Sequence, residues 1–180
     1  MTNSRLGARS RGSHLYFAYG SNLNRGDMRA RCAGCKPLAP ARLGGWRLTF
    51  RGVADIEPAL GRAVLGALWL VGSSDLRSLD HYEGAPTYYR RHVVRVEAGS
   101  GQCEATTYVM NDSGYRGLPS DWYYERIARG YRDWALPTRP LELAVEEVRK
   151  ELEALGVTRY RPEGRKRLRA IIDEVPADAR

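Results

Sequence analysis

Three glycines constrain this chain more than any other feature. Gly44 and Gly45 sit inside "ARLGGWRLTF" (41–50) and Gly66 inside "AVLGALWLV" (63–71), two stretches whose apolar residues otherwise read as β-strands. A glycine within a strand gives up side-chain packing, so it marks a bulge or a sharp bend. Such bends belong to a small, strongly curled sheet or barrel. Between the two runs, "RGVADIEPALGR" (51–62) carries Gly52, Pro58 and Gly61 and reads as a long turn.

The remaining elements alternate strand and helix, with no internal repeat. Leu15 to Tyr19 reads as a strand, and a short helix follows from Asn24 to Cys32, with Asn24 as N-cap and Asp27 as the acid of a capping box. The segment "SSDLRSLDHYEG" (73–84) is a well-marked helix: Ser73 or Ser74 caps it, Asp75 suits its positive end, Leu76 and Leu79 face inward, and Gly84 stops it. "YYRRHVVRVEA" and "CEATTYVM" alternate around the turn "GSGQ" as a hairpin. A helix is expected from Ser120 to Trp134, closing on Pro137. From residue 139 the chain becomes a charged helix with Leu141, Val145, Val148, Leu152 and Leu155 along one face, suited to packing on the domain or on a second chain. With 180 residues the chain is expected to form one domain, 15–138, with a basic disordered arm at 1–14 and a helical extension at 139–180. It is expected to be a monomer or a homodimer.

Composition narrows the function classes. No apolar run approaches the roughly 18 residues that a membrane helix needs, and the first 14 residues lack the apolar core of an export signal, so a cytoplasmic protein without a membrane partner is expected. The net charge of +8 is dispersed: residues 1–14 hold three Arg and no acid, 15–138 hold 16 basic and 12 acidic groups, and 139–180 hold 10 and 9. Without a basic patch the charge offers only weak, salt-sensitive attraction to phosphate, and no nucleic-acid partner is expected. Cys32 and Cys35 form a CxxC, but no second Cys or His pair stands at metal spacing. Reduced thiols and no metal or other cofactor are the reading.

Two stretches carry chemistry. Glu83 lies at the end of the 73–84 helix, where the partial negative charge of the C-terminus disfavours an acid. Read plainly, Glu83 points into water past the end of a frayed helix; read as a site, dipole and desolvation together favour its neutral form, and a carboxyl tuned toward neutral pKa serves as a general acid and base. The second stretch is "YFAYGSNLN" (16–24), a strand running into Gly20-Ser21-Asn22. Read as a plain connection it is a capped turn; read as a site, its successive N–H groups converge at a helix start, ready for a carboxylate or an oxyanion. It has neither dinucleotide nor phosphate-loop spacing.

In order along the chain, the "YGSN" turn, "GVADIEPA", the "LDHYEG" helix end and "ATTYVM" resemble the gamma-glutamylcyclotransferase family over about residues 15 to 138. The resemblance implies an α+β domain: a small mixed β-barrel flanked by helices, enclosing one pocket. It also implies a small-molecule gamma-glutamyl substrate, held by the loop Tyr19, Gly20, Ser21, Asn22 and Leu23, with Glu83 as the acid–base group. Its reaction is cyclisation of the gamma-glutamyl group, releasing 5-oxoproline and a free amine or amino acid. Tyr123, just before "ERIARG", matches a pocket tyrosine of the family, and either Tyr88 or Tyr89 matches another; Tyr16 and Tyr19 are further wall candidates. The chain departs from the family where Tyr131 follows Gly130 and where "DWALP" replaces a Gly-Leu-Pro ending, which leaves the leaving amine (amino acid, amine or aminoglycoside) open. A non-catalytic binding module of the same fold, with the C-terminal helix as an interaction surface, is the alternative function.

Overall fold

The computed structural model describes residues 12–111 and 116–156. Five strands close into a barrel in the order β1-β3-β2-β4-β5: β1 (Ser13–Ala18), β2 (Lys36–Phe50), β3 (Ala54–Gly72), β4 (Tyr89–Ala98) and β5 (Gly101–Met110). All neighbours are antiparallel except β1 and β5, which meet in parallel at Tyr16 and Thr106 and complete the ring. Around it lie α1 (Arg25–Arg31), α2 (Ser73–Glu83), α3 (Asp121–Asp133) and α4 (Arg139–Ala154). This is the α+β barrel expected from the sequence. Among the described residues no helix is long and apolar enough to cross a membrane.

Gly44 and Gly45 mark the irregularity their positions suggest, whereas Gly66 pairs in register with Ala41 and serves a close approach instead of a bulge. Register between β2 and β3 shifts at Gly44/Trp46, where Gly45 takes a φ of 79°. A Cβ on Gly66 would lie 2.3 Å from the Ala18 carbonyl oxygen and 2.6 Å from the Phe17 ring, so only glycine lets β3 approach β1 there. The enclosed core is aromatic and aliphatic, with Phe17, Phe50, Ile56, Leu68 and Trp69 fully buried.

Several boundaries differ from the sequence reading. The long turn expected over 51–62 is only three residues, because β3 begins at Ala54 and β2 extends back to Lys36. Pro37 and Pro58 sit beside register shifts, where a missing N–H costs the ladder least, so cross-strand pairing overrides the local turn signal. β1 starts at Ser13, inside the stretch expected to be a disordered arm, and pairs with β3 from Gly72 backwards. Residues 1–11 of that arm and 157–180 of the expected extension lie outside the described residues. Gly72, and neither Ser73 nor Ser74, is the N-cap of α2, with the Asp75 carboxylate accepting the Gly72 N–H at 2.9 Å. The Asn24 cap forms as expected, accepting from Gly26 and Asp27, but the Asp27 carboxylate pairs with Arg126 of α3 instead of closing a box.

α4 packs on β2 within the same chain, burying Leu141, Ala144, Val148 and Leu152, while Leu155 is exposed. Polar contacts fix it there. Glu151 accepts from Arg47 at 2.8 Å and Arg116 at 2.6 Å, and Glu147 accepts from Arg62 at 2.7 Å. Behind them Arg51 donates to Asp55 at 2.8 Å and to Glu57 at 3.0 Å, both Arg51 and Asp55 being almost fully buried. Asp55 also accepts the Met110 N–H at 3.0 Å, which ties the start of β3 to the end of β5.

Candidate active site

The ends of β1 and β5, the starts of β3 and β4 and the last turn of α2 converge on one cleft. Each places a side chain there for a local reason. Gly84, at φ 60°, ends α2 in the left-handed conformation, and its N–H is taken up by the Asp80 and His81 carbonyls. The preceding Glu83 therefore stands at a fixed helix end, facing the cleft. Tyr88 packs directly over Gly84, where a Cβ would lie 2.6 Å from its ring.

The loop after β1 forms the opposite wall. Ser21–Leu23 is a single 3-10 turn, and the Leu23 N–H closes it onto the Gly20 carbonyl at 3.0 Å. Gly20, Ser21 and Asn22 line the cleft, and among the described residues no protein acceptor takes the Ser21 or Asn22 N–H. Leu23 is different: its side chain is buried beneath the loop and its carbonyl accepts from Trp134 Nε1 at 2.9 Å. It supports the loop without lining the cleft. α3 clamps the loop from outside, because Gly130 lets the helix backbone press against Leu23 and Asn24 and Asp133 accepts the Arg25 N–H at 2.8 Å.

Tyrosines make most of the remaining surface. Tyr19 donates its hydroxyl to the Tyr108 carbonyl at 2.8 Å and Tyr89 donates to the Ala54 carbonyl at 2.8 Å. The Tyr123 hydroxyl accepts the Ala54 N–H at 3.3 Å. Both Tyr88 and Tyr89 line the cleft, so the choice the sequence left between them falls away. Burial raises the hydroxyl pKa of Tyr16, Tyr19, Tyr89 and Tyr123, and all four stay neutral donors and acceptors at physiological pH.

Glu83 is the one carboxylate lining this cleft among the described residues. Its Oε1 accepts from Asn22 Nδ2 at 2.8 Å, and the same nitrogen lies 2.7 Å from the Tyr16 hydroxyl. Burial raises its pKa from 4.5 to about 7, against the smaller opposing effects of the Arg31 charge and the Asn22 hydrogen bond. No Lys or Arg comes within ion-pair distance of Glu83 among the described residues. The carboxyl can thus both take and return a proton near neutral pH.

Sequence reasoning missed Arg31, Tyr82, Val53, Ala54 and Met110. Arg31 stacks on the Tyr82 ring at 3.6 Å and donates to its hydroxyl at 2.6 Å. A signal existed: Asn24, Met28 and Arg31 follow the i, i+4, i+7 pattern of one helix face, and Met28 is buried against the core. Cys32 and Cys35 remain thiols; burial pushes Cys32 up to about 12 and raises Cys35, so neither is a ready thiolate at neutral pH.

Comparison with known proteins places this chain in a family. Residues 16–131 match the family model described as "Gamma-glutamyl cyclotransferase, AIG2-like". The human protein named gamma-glutamylcyclotransferase is 31% identical over 140 residues, covering 69% of this chain and 73% of its own. The bovine protein of that name is 31% identical over 139 residues, with the same shares covered. A solved structure titled gamma-glutamyl cyclotransferase superposes with a TM-score of 0.64 at 30% identity, covering 76% of this chain and 86% of its own. From its barrel, its cleft and these matches, the chain belongs to the gamma-glutamyl cyclotransferase, AIG2-like family.

Proposed function

We propose that this protein cyclises a gamma-glutamyl group, releasing 5-oxoproline and a free amine or amino acid, with Glu83 as the general acid and base. The observation that carries the reading is Glu83 itself, the one carboxyl among the described residues lining an aromatic cleft, with its pKa raised by burial to about 7. A non-catalytic binder gains nothing from that tuning.

The reaction closes a five-membered ring within one molecule, so holding the substrate folded supplies most of the advantage; intramolecular placement is worth roughly 7–11 kcal/mol. Glu83 takes one proton from the alpha-ammonium, and the freed amine attacks the gamma-carbonyl carbon. The Ser21 and Asn22 N–H groups, which have no protein acceptor among the described residues, are the donors available for the resulting oxyanion or for the alpha-carboxylate. As the bond from the gamma-carbon to the leaving nitrogen breaks, Glu83 returns its proton to that nitrogen. The ring nitrogen sheds its second proton, which the released amine takes up. Tyr19, Tyr89 and Tyr123 wall the cleft against water, and Gly20 lets the backbone come close to Ala54, with a Cβ there only 3.2 Å from the Ala54 methyl.

The test is incubation with a panel of gamma-glutamyl amines and amino acids, reading 5-oxoproline, with Glu83→Gln beside the wild type. General acid–base catalysis is worth about 10²–10⁴-fold, and the variant should lose that much of kcat. Equal rates in the two proteins sink the role given to Glu83.

A further inference from the structure

Three groups stand behind the Glu83 carboxyl: Arg31, Asn22 and Tyr16. Arg31 Nη1 donates to Asn22 Oδ1 and, at 3.3 Å, to Ser21 Oγ, while Nη2 donates to the Tyr82 hydroxyl at 2.6 Å. Its guanidinium lies flat over the Tyr82 ring, 3.6 Å from the centroid. The side chain is thus held in one place by three acceptors and an aromatic face, from a helix whose N-cap, Asn24, begins directly after the loop.

That placement decides how Asn22 points. An asparagine side chain has one accepting and one donating end, and a guanidinium has donors alone. With Arg31 on one side, Asn22 must turn Oδ1 toward it; the reversed amide would set NH₂ against N–H. Nδ2 is thereby turned the other way, toward Glu83 Oε1 at 2.8 Å and the Tyr16 hydroxyl at 2.7 Å. Glu83 Oε1 is then occupied. Its Oε2 has no hydrogen-bond partner among the described residues and is not enclosed, which leaves that oxygen as the one open to the cleft.

We infer that Arg31 is a positioning residue for the reaction: acting through Asn22, it fixes the Glu83 carboxyl with Oε1 bonded and Oε2 presented to the substrate nitrogen. This rests on the cyclotransferase reading for its consequence, although the orientation it describes does not. The arrangement also separates two things that a direct ion pair would merge. Arg31 orients the carboxyl from one residue away, and among the described residues no cation sits on Glu83 to hold it permanently ionised.

Among the described residues, the other titratable groups lining the cleft with Glu83 are tyrosines: Tyr16 and Tyr19 from β1 and its end, Tyr82 beside it on α2, Tyr88 and Tyr89 at the start of β4, Tyr108 from β5 and Tyr123 from α3. Burial keeps Tyr16, Tyr19, Tyr89, Tyr108 and Tyr123 neutral between pH 5 and 9, so a titration seen there on the Glu83 carboxyl does not come from them.

Two measurements decide the inference. The first needs no turnover: the Glu83 side-chain carbon is titrated by NMR in wild type, Arg31→Met and Arg31→Lys. Removing the cation and freeing the Asn22 amide should move the midpoint upward in Arg31→Met, and Arg31→Lys, which keeps a charge and a donor, should bring it back toward wild type. An Arg31→Met midpoint equal to that of wild type overturns the inference. The second uses kcat and KM for 5-oxoproline release in wild type, Arg31→Met, Asn22→Ala and the double variant. Misplacing a catalytic group by about 1 Å costs on the order of 10²-fold, so Arg31→Met should lose roughly 10–100-fold in kcat with KM changed less than about threefold. In the Asn22→Ala background the Arg31 substitution should cost little more, because the route through Asn22 is already cut. Losses that simply multiply would overturn the inference. If wild type releases no 5-oxoproline from any substrate, the cyclotransferase reading falls, and the titration still decides whether Arg31 governs Glu83.

Discussion

Two clusters of charge in this molecule use the same side chains to opposite ends. Between the β2–β3 hairpin and α4, the carboxylates of Asp55, Glu57 and Glu151 each meet guanidinium groups directly, from Arg47, Arg51 and Arg116. In the cleft, Glu83 meets a neutral amide, and the nearest guanidinium is held one residue back. The consequence shows in the protons. Burial acts to raise the pKa of Glu57 and of Glu151, but the bonds and charges of Arg47 and Arg116 outweigh it and both are lowered. For Glu83 burial wins, and the value rises to about 7. Burial alone does not select a catalytic carboxyl. The distance at which a cation is kept decides whether the buried acid is locked as an anion or left able to exchange a proton.

The sharpest test of the structural side is Arg51→Met. Arg51 and Asp55 are nearly inaccessible, with side-chain exposures of 1% and 2%. Removing one partner of a buried pair leaves a charge without its counterion, typically at a cost of about 3–5 kcal/mol. Urea unfolding at pH 7 should show a fall of that size in the midpoint-derived stability. A loss below about 1 kcal/mol would mean that the pair behaves like a surface contact, and the contrast with Glu83 would lose its basis.

A smaller effect of opposite sign is expected at Glu83, the proposed acid–base carboxyl. In the folded state Glu83 keeps its proton up to about pH 7, against an ordinary value of 4.5. Between those two pH values the folded protein holds a proton that the unfolded chain has released, so stability falls as pH rises through the window. Above about pH 7 the full cost is present, on the order of 3 kcal/mol at about 1.4 kcal/mol per pH unit. Glu83→Gln keeps an oxygen for Asn22 and carries no charge, so it should be more stable than wild type at pH 8, with the gap closing toward pH 4.5. Denaturant midpoints at pH 5 and pH 8 measure this. A gap that does not change with pH would show that Glu83 is not paying for its burial as an anion.

How much of this was legible beforehand follows the range of the interactions. The barrel was signalled by Gly44, Gly45 and Gly66, because a glycine inside a strand has a local physical cause that survives in the finished fold. Glu83 was found from its place at a helix end, and its neighbourhood adds the burial that dominates its proton affinity. The turn over 51–62 was misplaced, since Pro58 and Gly61 signal a turn locally while pairing with β2, invisible in a single strand, keeps the segment extended. Arg31 and Arg116 escaped for a related reason. An arginine side chain is long enough to reach partners on several elements, and a sequence does not reveal that Arg116 would meet Glu57 and Glu151, 59 and 35 residues away.

The weakest link of the structural cluster gives the finest test of the comparison. Glu151 bonds Arg47 and Arg116, as Asp55 bonds Arg51, but its side chain is 32% exposed, so water screens it. Its pKa is lowered in the folded state, so its contribution is present above the unfolded carboxylate value and is lost as pH falls through the folded one. Glu151→Gln should therefore cost only about 0.5–1 kcal/mol at pH 7, and less in 1 M salt or below pH 4. Arg47 and Arg116 keep Glu57 as a partner in the variant, which limits the damage further. Urea midpoints at low and high salt read the effect directly. A salt-independent loss as large as that of Arg51→Met would mean that the cluster acts as one buried unit, with α4 fastened to the barrel as firmly as β2 is to β3.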